Sequence, residues 1–450
     1  MGSTRPGADT HREFFGFSGY QWRVIAAAWA GWGFDVFDAL LFNFVAPNCI
    51  AALLGLPPGS AAAHASTVFW TGLITSVLLV GWAAGGALFG WIADRIGRRP
   101  AMLVTITVYA AGTALCALAT NIGELLAFRL LASLGIGGEW GIGAALVAES
   151  VPDGRRVEAG VILQTSSPLG IVLASSVNYL IAGLWLADSP STSWRYVFLA
   201  GLMPVMLAFA IRSFVKESSQ WSPADARVHP PNPRELFSPA IRRLTASGAG
   251  VAVTAVLTWW ACNAFVPMLG GTLGTEQAAA LGLTGTAAAL LSESWKAHAS
   301  NAFNIGGLLG ALAAIPLSRI AGRRTMYALY FLYSALSLFA VFGLHLEAAT
   351  RLAMLFFVGA GVYGVFGTFP FYLPELFPAR LRATGAGFCY NIGRLVAAAG
   401  PLLVGVVSAR AGGSSAVLCE TLVWTGFIPL IAALAAPWFI VETRGRRVGA

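Results

Sequence analysis

Charged side chains are scarce in this sequence: Asp, Glu, Lys and Arg make up 11% of its 450 residues, against roughly 25% in ordinary globular domains. Its only lysines are Lys216 and Lys296. Apolar residues make up 57% of the chain, with 28 Phe and 15 Trp. Because so little charge cannot cover a surface in water, we expect lipid to surround most of the chain. This composition excludes a soluble enzyme, a disordered linker protein and a single-span receptor.

Cysteine is also rare and shows no pairing pattern. The five cysteines are odd in number and scattered, and no C-x-x-C pair occurs, which argues against a disulfide framework and a zinc site. The sequence contains no phosphate loop and no nucleophile motif. We therefore predict no metal site, no cofactor and no enzymatic activity. The polar start of the chain, from Met1 to Gln21, argues against a cleavable signal peptide.

Twelve apolar runs are each long enough to cross a bilayer, which takes about 20 residues. The sequence thus predicts an all-α membrane protein with twelve transmembrane helices. The predicted spans are roughly 23–46, 69–92, 100–121, 125–148, 158–185, 195–215, 245–270, 300–320, 325–346, 350–373, 385–408 and 418–441.

Basic residues cluster at alternate connections between the spans, and cytoplasmic loops are the ones that carry an excess of Arg and Lys. This pattern places both termini in the cytoplasm, and the Arg-rich, Lys-poor usage points to a bacterial inner membrane. The outer connections contain only Arg195, Lys296, Arg351 and Arg410. The basic clusters are short and lie between apolar runs, so the net charge of +8 does not indicate a nucleic-acid partner.

The polar segment 216–243 divides the predicted spans six and six. We therefore predict an N-terminal six-helix bundle at 1–215, a cytoplasmic central loop at 216–243 and a C-terminal six-helix bundle at 244–450. Segment 271–299, rich in Ala and Gly, is predicted to be an outer loop that can carry a short interfacial helix.

The two halves share an internal repeat. The run Gly97-Arg98-Arg99 returns as Gly322-Arg323-Arg324, and Glu149-x-x-Pro152 returns as Glu375-x-x-Pro378, each about half the chain length later. A duplicated six-span unit places a binding site between the halves near the bilayer midplane, where rocking exposes it to each side in turn. Basic loops required by topology alone are the alternative explanation.

Several motifs resemble those of one transporter family. The run GWIADRIGRR at 90–99 is similar to the loop signature of the major facilitator superfamily. The runs DVFD at 35–38, GGEWG at 137–141 and ESVP at 149–152 resemble those of the sialate/lactate and aromatic-acid proton symporters, and FCYNIGR at 388–394 resembles the eleventh span of bacterial members. The resemblance implies a secondary transporter of two pseudo-symmetric bundles.

Acidic residues within the predicted spans are candidates for proton coupling. Asp35 lies about 18 Å along the first helix from Arg23, close to the bilayer midplane, and Asp38 shares its face because residues three apart are neighbours on a helix. Glu139 is a second candidate proton site or a partner for Arg129. Arg129 contributes to coupling, pairs with Glu139, or extends to the outer interface. The alternative for the Asp pair is a structural role.

Arg394 is the main candidate for substrate binding, because it lies ten residues into the eleventh span and Arg recognises carboxylates bidentately. A structural ion pair with an acid is the alternative. Tyr390, Asn391 and Gln164 complete the predicted site. Other aromatic residues that can line it are Trp259, Trp260, Tyr363, Phe369 and Tyr372.

Charged residues of the repeated loops are predicted to gate the inner face through pairs that form when it closes and break when it opens. Asp94 can also complement the positive dipole at the start of the third helix. The predicted gating residues are Asp94, Arg95, Arg98, Arg99, Glu149, Arg156, Glu375 and Arg382. The alternative for the arginines is simple topology marking.

Together these features predict a monomeric transporter that moves a small organic anion with protons across a lipid bilayer by alternating access. A facilitator or symporter for a sugar or an organic cation remains an alternative, and a non-transporting receptor of the same fold is another.

Overall fold

The computed structural model describes residues 16–57, 60–96, 98–152, 155–202, 206, 233–378, 381–411 and 414–444. Its regular elements are helices. In the first half they are α1 (Gly19–Leu53), α2 (Ala61–Ile96), α3 (Arg98–Leu118), α4 (Ile122–Ser150), α5 (Arg156–Asn178), which continues as a π-helix over Tyr179–Trp185, and α6 (Pro190–Ala200).

The second half begins with a 3-10 turn at Pro233–Phe237. Its helices are α7 (Arg242–Asn263), α8 (Val266–Ala280), α9 (Gly285–Gly343), α10 (Ala348–Val362), α11 (Phe369–Glu375), α12 (Arg382–Ala397), α13 (Ala399–Arg410), α14 (Ser415–Thr425) and α15 (Phe427–Phe439). A second 3-10 turn, Gly364–Thr368, joins α10 to α11. Nine helical segments in the described part of the chain are long and apolar enough to cross a membrane.

Local signals explain where several helices begin and break. Ser18 and Gln21 form a reciprocal capping box at the start of α1, and this pairing satisfies backbone N–H groups that have no partner within the helix. Helix α9 is interrupted at Gly322, whose φ of 78° lies in the left-handed region that glycine adopts without steric penalty. This break coincides with the predicted boundary between the eighth and ninth spans.

Helices pack chiefly within each half of the chain. In the first half α1 contacts α4, α5 and α6, and α4 contacts α2 and α3. In the second half α9 contacts α8, α10, α14 and α15, while α7 contacts α12 and α15. The halves meet where α2 packs against α12 and α13 and where α5 packs against α9.

Glycines allow the close approach of α4 to its neighbours. A Cβ atom at Gly137 would lie 2.0 Å from the carbonyl oxygen of Trp82, and one at Gly135 would lie 2.6 Å from the carbonyl oxygen of Thr105. Small residues let helix backbones come together in this way. The glycines of α4 therefore serve helix packing.

The predicted outer loop at 271–299 is wrong, because α8 runs to Ala280 and α9 already begins at Gly285. The two helices pack through small residues: a Cβ at Gly270 would lie 2.6 Å from the carbonyl oxygen of Trp295. The Ala- and Gly-rich composition is compatible with a loop, but Ala favours helices and the glycines permit tight packing. As a result Lys296 lies within a helix and is buried, not in an outer connection.

Candidate functional site

Arg394 lies buried where the two halves of the chain meet, with 3% of its surface exposed. Its guanidinium carbon is 4.0 Å from the centre of the Tyr390 ring and 4.8 Å from that of Trp82. Its Nη1 donates a hydrogen bond to Oδ1 of Asn391 at 3.0 Å. Since Trp82 belongs to α2 and the other residues to α12, both halves hold this cation.

Arg394 and six aromatic rings form a closed circuit of contacts. Successive ring centres lie 4.7 to 5.9 Å apart, spacings at which aromatic rings attract one another. In order from Arg394, the rings are those of Trp82, Trp260, Trp259, Phe366, Phe369 and Tyr390. Tyr363 stacks on Trp259 at 5.3 Å, and Trp32 of α1 adjoins Trp82. We call this set the aromatic circuit.

Several polar atoms of the aromatic circuit have no hydrogen-bond partner among the described residues. They include Nη2 of Arg394 and the indole Nε1 atoms of Trp82 and Trp259. All three are donors and all three are buried. Leaving a buried donor without an acceptor is costly, and a ligand with acceptor oxygens can satisfy these three donors.

The predicted substrate-site residues come together here. Tyr390 and Asn391 contact Arg394 as described. The Asn391 amide lies close to Gly86 of α2, where a Cβ atom would be 3.1 Å from the amide nitrogen. Gln164 of α5 is 4% exposed and lies next to the Tyr363 hydroxyl. Of the further aromatic candidates only Tyr372 is elsewhere, since its hydroxyl bonds Ser247 and the carbonyl of Val441.

Asp35 and Asp38 are both fully buried in α1. The hydroxyl of Thr113 in α3 lies 2.7 Å from each carboxylate oxygen of Asp38. One donor serving both oxygens leaves room on the carboxylate for a proton, because a carboxylate has about four acceptor positions. Among the described residues, the hydroxyl of Thr113 is thus the side-chain donor to Asp38, and it joins α3 to α1.

Arg129 does not extend to the membrane interface as one alternative supposed. It is fully buried, and its Nη2 donates to the carbonyl of Ala39 while Nη1 approaches the carbonyl of Asp38 at 3.4 Å. The rings of Phe42 and Phe198 flank its guanidinium. Arg129 therefore brings a positive charge beside the α1 segment that carries Asp38.

Another group of buried charged residues was not predicted from the sequence, because it lies in the segment that was predicted to be a loop. Glu293 and Lys296, one turn apart in α9, form an ion pair of 2.6 Å with exposed fractions of 5% and 2%. Asn48 of α1 and Asn178 of α5 also donate to the Glu293 carboxylate. The presence of an acid and a lysine three residues apart was the only sequence signal.

Of the predicted gating residues, Glu375 has a described environment. Its carboxylate accepts from Nε and Nη2 of Arg323, at 3.2 and 2.9 Å, and from the hydroxyl of Thr443. The sequence indicates Arg323 only as part of the internal repeat. The side chains of the other gating candidates lie outside the part of the chain that the structure describes, and so does that of Glu139. These gating candidates are Asp94, Arg95, Arg98, Arg99, Glu149, Arg156 and Arg382.

The major facilitator superfamily model matches residues 27–401 of this chain. The chain belongs to the major facilitator superfamily. Members of this family are transporters, so the chain is a multi-pass membrane protein that acts as a secondary transporter by alternating access, and not an enzyme.

Relatives within the superfamily match over most of their length. A probable 4-methylmuconolactone transporter of Cupriavidus pinatubonensis is 30% identical over 94% of this chain and 91% of its own. A sialic acid transporter of Escherichia coli is 24% identical over 93% of this chain and 95% of its own. A gentisate transporter of Corynebacterium glutamicum is 23% identical over 93% of this chain and 88% of its own. The resemblance to the sialate and aromatic-acid branch is confirmed.

Solved structures of the superfamily share this fold. A proton:xylose symporter bound to 6-bromo-6-deoxy-D-glucose superimposes with a TM-score of 0.69, covering 95% of this chain and 98% of its own, at 18% identity. At that identity the likeness concerns the fold alone.

Proposed function

We propose that this transporter moves a small organic anion together with protons, and that Arg394 binds the carboxylate of the substrate. The observation that supports this is the state of Arg394. It is buried between the halves, and the polar and aromatic side chains that it contacts in the described part of the chain are neutral: those of Asn391, Tyr390 and Trp82. Its Nη2 has no hydrogen-bond partner among the described residues. No described Asp or Glu forms an ion pair with it.

Physical cost favours a negatively charged ligand at this place. A buried, unpaired guanidinium is expensive, by several kcal/mol, and aromatic faces return only part of that energy. A carboxylate would provide two oxygens in the geometry that a guanidinium recognises. The names of the relatives, transporters for muconolactone, gentisate and sialic acid, also favour a substrate that is an organic acid.

For proton coupling we propose the acids of α1 with their neighbours. Asp38 can hold a proton while Thr113 keeps its bond, and the guanidinium of Arg129 lies against the adjoining backbone of α1. Asp35, fully buried one turn earlier, shares this part of the helix. Two midplane acids together hold an easily exchanged proton, since like charges resist joint ionisation. Glu139 is retained as a further candidate.

The architecture that we propose has twelve spans in two six-helix bundles, with a boundary at 216–243. The nine membrane-crossing segments become twelve when α4 and α6 are added and α9 is divided at Gly322. At 59 residues, α9 would extend to about 88 Å, far more than one crossing of a core about 30 Å thick. Both termini lie in the cytoplasm of a bacterial inner membrane, and the transporter works as a monomer.

We also propose that the inner face closes through charged pairs of the repeated loops. Glu375 with Arg323 provides such a pair in the second half. On the basis of the internal repeat, we assign the corresponding role to Arg382 and to the charged residues of the first half. Those residues are Asp94, Arg95, Arg98, Arg99, Glu149 and Arg156.

The deciding experiment compares an acid with its neutral amide. Uptake and binding by the purified, reconstituted protein are measured for benzoates, muconate, sialate and lactate, for their amides, and for sugars and cationic amines. An anion site predicts strong preference for the acids and uptake driven by an inward proton gradient. Equal affinity for an acid and its amide would refute the anion site and favour a sugar or cation carrier.

A further inference from the structure

Four polar side chains meet at the outer end of helices α1, α5 and α9. The Glu293 carboxylate accepts hydrogen bonds from Nζ of Lys296 at 2.6 Å, from Nδ2 of Asn178 at 2.8 Å and from Nδ2 of Asn48 at 3.2 Å. Lys296 and Glu293 belong to α9 in the second half, whereas Asn48 and Asn178 belong to α1 and α5 in the first. One carboxylate thus ties three helices together across the boundary between the halves.

We propose that Glu293 is a positioning residue for transport, which holds the outer end closed by binding Asn48 and Asn178 and releases both when the transporter opens outward. The proposal rests on the outward orientation of this end, which is part of the proposed function. It adds a role for a charged group that neither the motifs nor the repeat indicated.

The distribution of charge makes this contact reversible. Lys296 lies one turn from Glu293 on the same helix, so the ion pair moves as a unit with α9 and persists when the halves separate. Only the two neutral amide donors are exchanged for water. Burying a lone carboxylate when the outer end closes would be costly in free energy. The pair of Glu293 and Lys296 carries no net charge, so the attraction between the two groups offsets part of the cost of burying them.

The backbone is shaped to bring these groups together. The end of α5 is π-helical over Tyr179–Trp185, a rare conformation that is frequent at functional sites. Within it Gly183 faces α9, and a Cβ there would lie 3.1 Å from the Cβ of Glu293. On the other side the stem of Lys296 lies across Gly271, whose Cβ would be 3.0 Å from its Cγ.

The same two helices also meet at the inner end, where Arg319 of α9 pairs with Glu158 of α5. There the Arg319 side chain is 59% exposed, and exposed ion pairs contribute little because water competes for them. At the outer end the Glu293 and Lys296 side chains are 7% and 3% exposed. Along this helix pair the outer contact is therefore the stronger of the two.

The test measures the distance between spin labels on the two halves at the outer end of the full-length protein in lipid nanodiscs. Labels are attached at Ala52→Cys in α1 and Leu283→Cys beside α9, both exposed positions, and the native cysteines are all buried. Asn48→Ala and Asn178→Ala should each raise the ratio of open to closed molecules about tenfold, the effect of one hydrogen bond to a charged group. Asn178→Asp, which keeps the shape but adds a like charge, should raise it further.

The matched control is Thr286→Ala, which removes an exposed hydrogen bond to Asp188 between the same halves at the same end and should leave the distances unchanged. Unchanged distances in the Asn178→Asp variant, or an equal shift in the Thr286→Ala variant, would overturn the proposal. The measurement needs no substrate, so its outcome is independent of the comparison of acids with amides.

Discussion

The guanidinium carbon of Arg394 lies 4.8 Å from the centre of the Trp82 ring, so a cation of the second half rests on an aromatic face of the first. Cation–aromatic contacts of this kind strengthen when water is excluded. Rocking of the halves must change this contact, because α2 and α12 belong to different halves. If Arg394 binds the substrate anion as proposed, we expect its affinity to differ between the states of the transporter.

Arg394→Lys should lower the affinity for the acid substrate by about 1–3 kcal/mol, because lysine keeps the charge but loses the two-pronged donor geometry. Arg394→Ala should lower it further. Binding is measured by isothermal titration with the acid and with its amide. The amide should bind the wild type and both variants about equally.

If Arg394 instead serves only the structure, Arg394→Ala will reduce expression and melting temperature while the preference for acids persists in the folded fraction. That result would remove Arg394 from the substrate site.

Asp38→Asn should abolish uphill uptake driven by a pH gradient, because the amide cannot exchange a proton, while counterflow of substrate survives. Asp35→Asn tests the other acid in the same assay. Full proton-driven accumulation by the double Asn variant would show that these acids do not couple protons to transport.

Thr113→Val should shift the pH dependence of uptake without abolishing it, because Asp38 loses its hydroxyl donor but keeps its carboxyl group. Thr107→Val is the matched control on the same helix, since its exposed hydroxyl bonds only the carbonyl of Leu103. An identical change in the pH profile of both variants would contradict a specific role for the bond between Thr113 and Asp38.

Trp259→Phe should selectively weaken substrates that carry an oxygen substituent besides their carboxylate. The change keeps an aromatic ring next to Tyr363 but removes an indole donor that has no partner among the described residues. We expect a loss of about 1 kcal/mol for a hydroxybenzoate and none for benzoate. The control is Trp424→Phe, at a position 68% exposed. Equal losses for both acids would mean that the ring and not the donor matters.

Glu442→Gln should destabilise the protein near neutral pH and matter less in acid. Partial burial favours the protonated form of Glu442, but the backbone N–H groups of Arg323, Arg324 and Arg444 donate to its carboxylate and hold its pKa below the ordinary value of 4.5. Such a group stabilises the fold fully above its unfolded-state pKa and loses this effect as the pH falls through the lower folded-state value.

Melting curves of the wild type and the Glu442→Gln variant check this dependence near neutral pH and well below pH 4.5. The two should differ most near neutral pH and converge in acid. Glu420→Gln, at an exposed position of α14, is the control and should change neither curve. A constant difference at both pH values would show that Glu442 does not act through its charge.

Much of the site could be predicted because polar residues in apolar spans are conspicuous. Arg394, Asp35 and Asp38 are indicated by their depth in the predicted spans and by the motifs that contain them, and all three are buried as expected. Trp82 could not be selected, because the sequence has 15 Trp and lipid-facing and inward-facing rings look alike in a span that is apolar on all sides. The buried pair of Glu293 and Lys296 was not predicted, because the Ala- and Gly-rich segment that contains both residues was interpreted as an outer loop.

The sequence by itself determined that the protein lies in a membrane, that its halves repeat, and where its basic connections fall. These properties depend on composition and on distance along the chain, because a bilayer selects apolar segments of fixed length. Only the tertiary structure decided that Trp82 meets Arg394, that Thr113 meets Asp38, and that Asn48 and Asn178 share the Glu293 carboxylate. Each of these contacts joins two different helices. How those helices are rotated relative to one another depends on close packing at small residues and on hydrogen bonding of buried polar groups. The pattern of residues along a single helix does not predict that rotation.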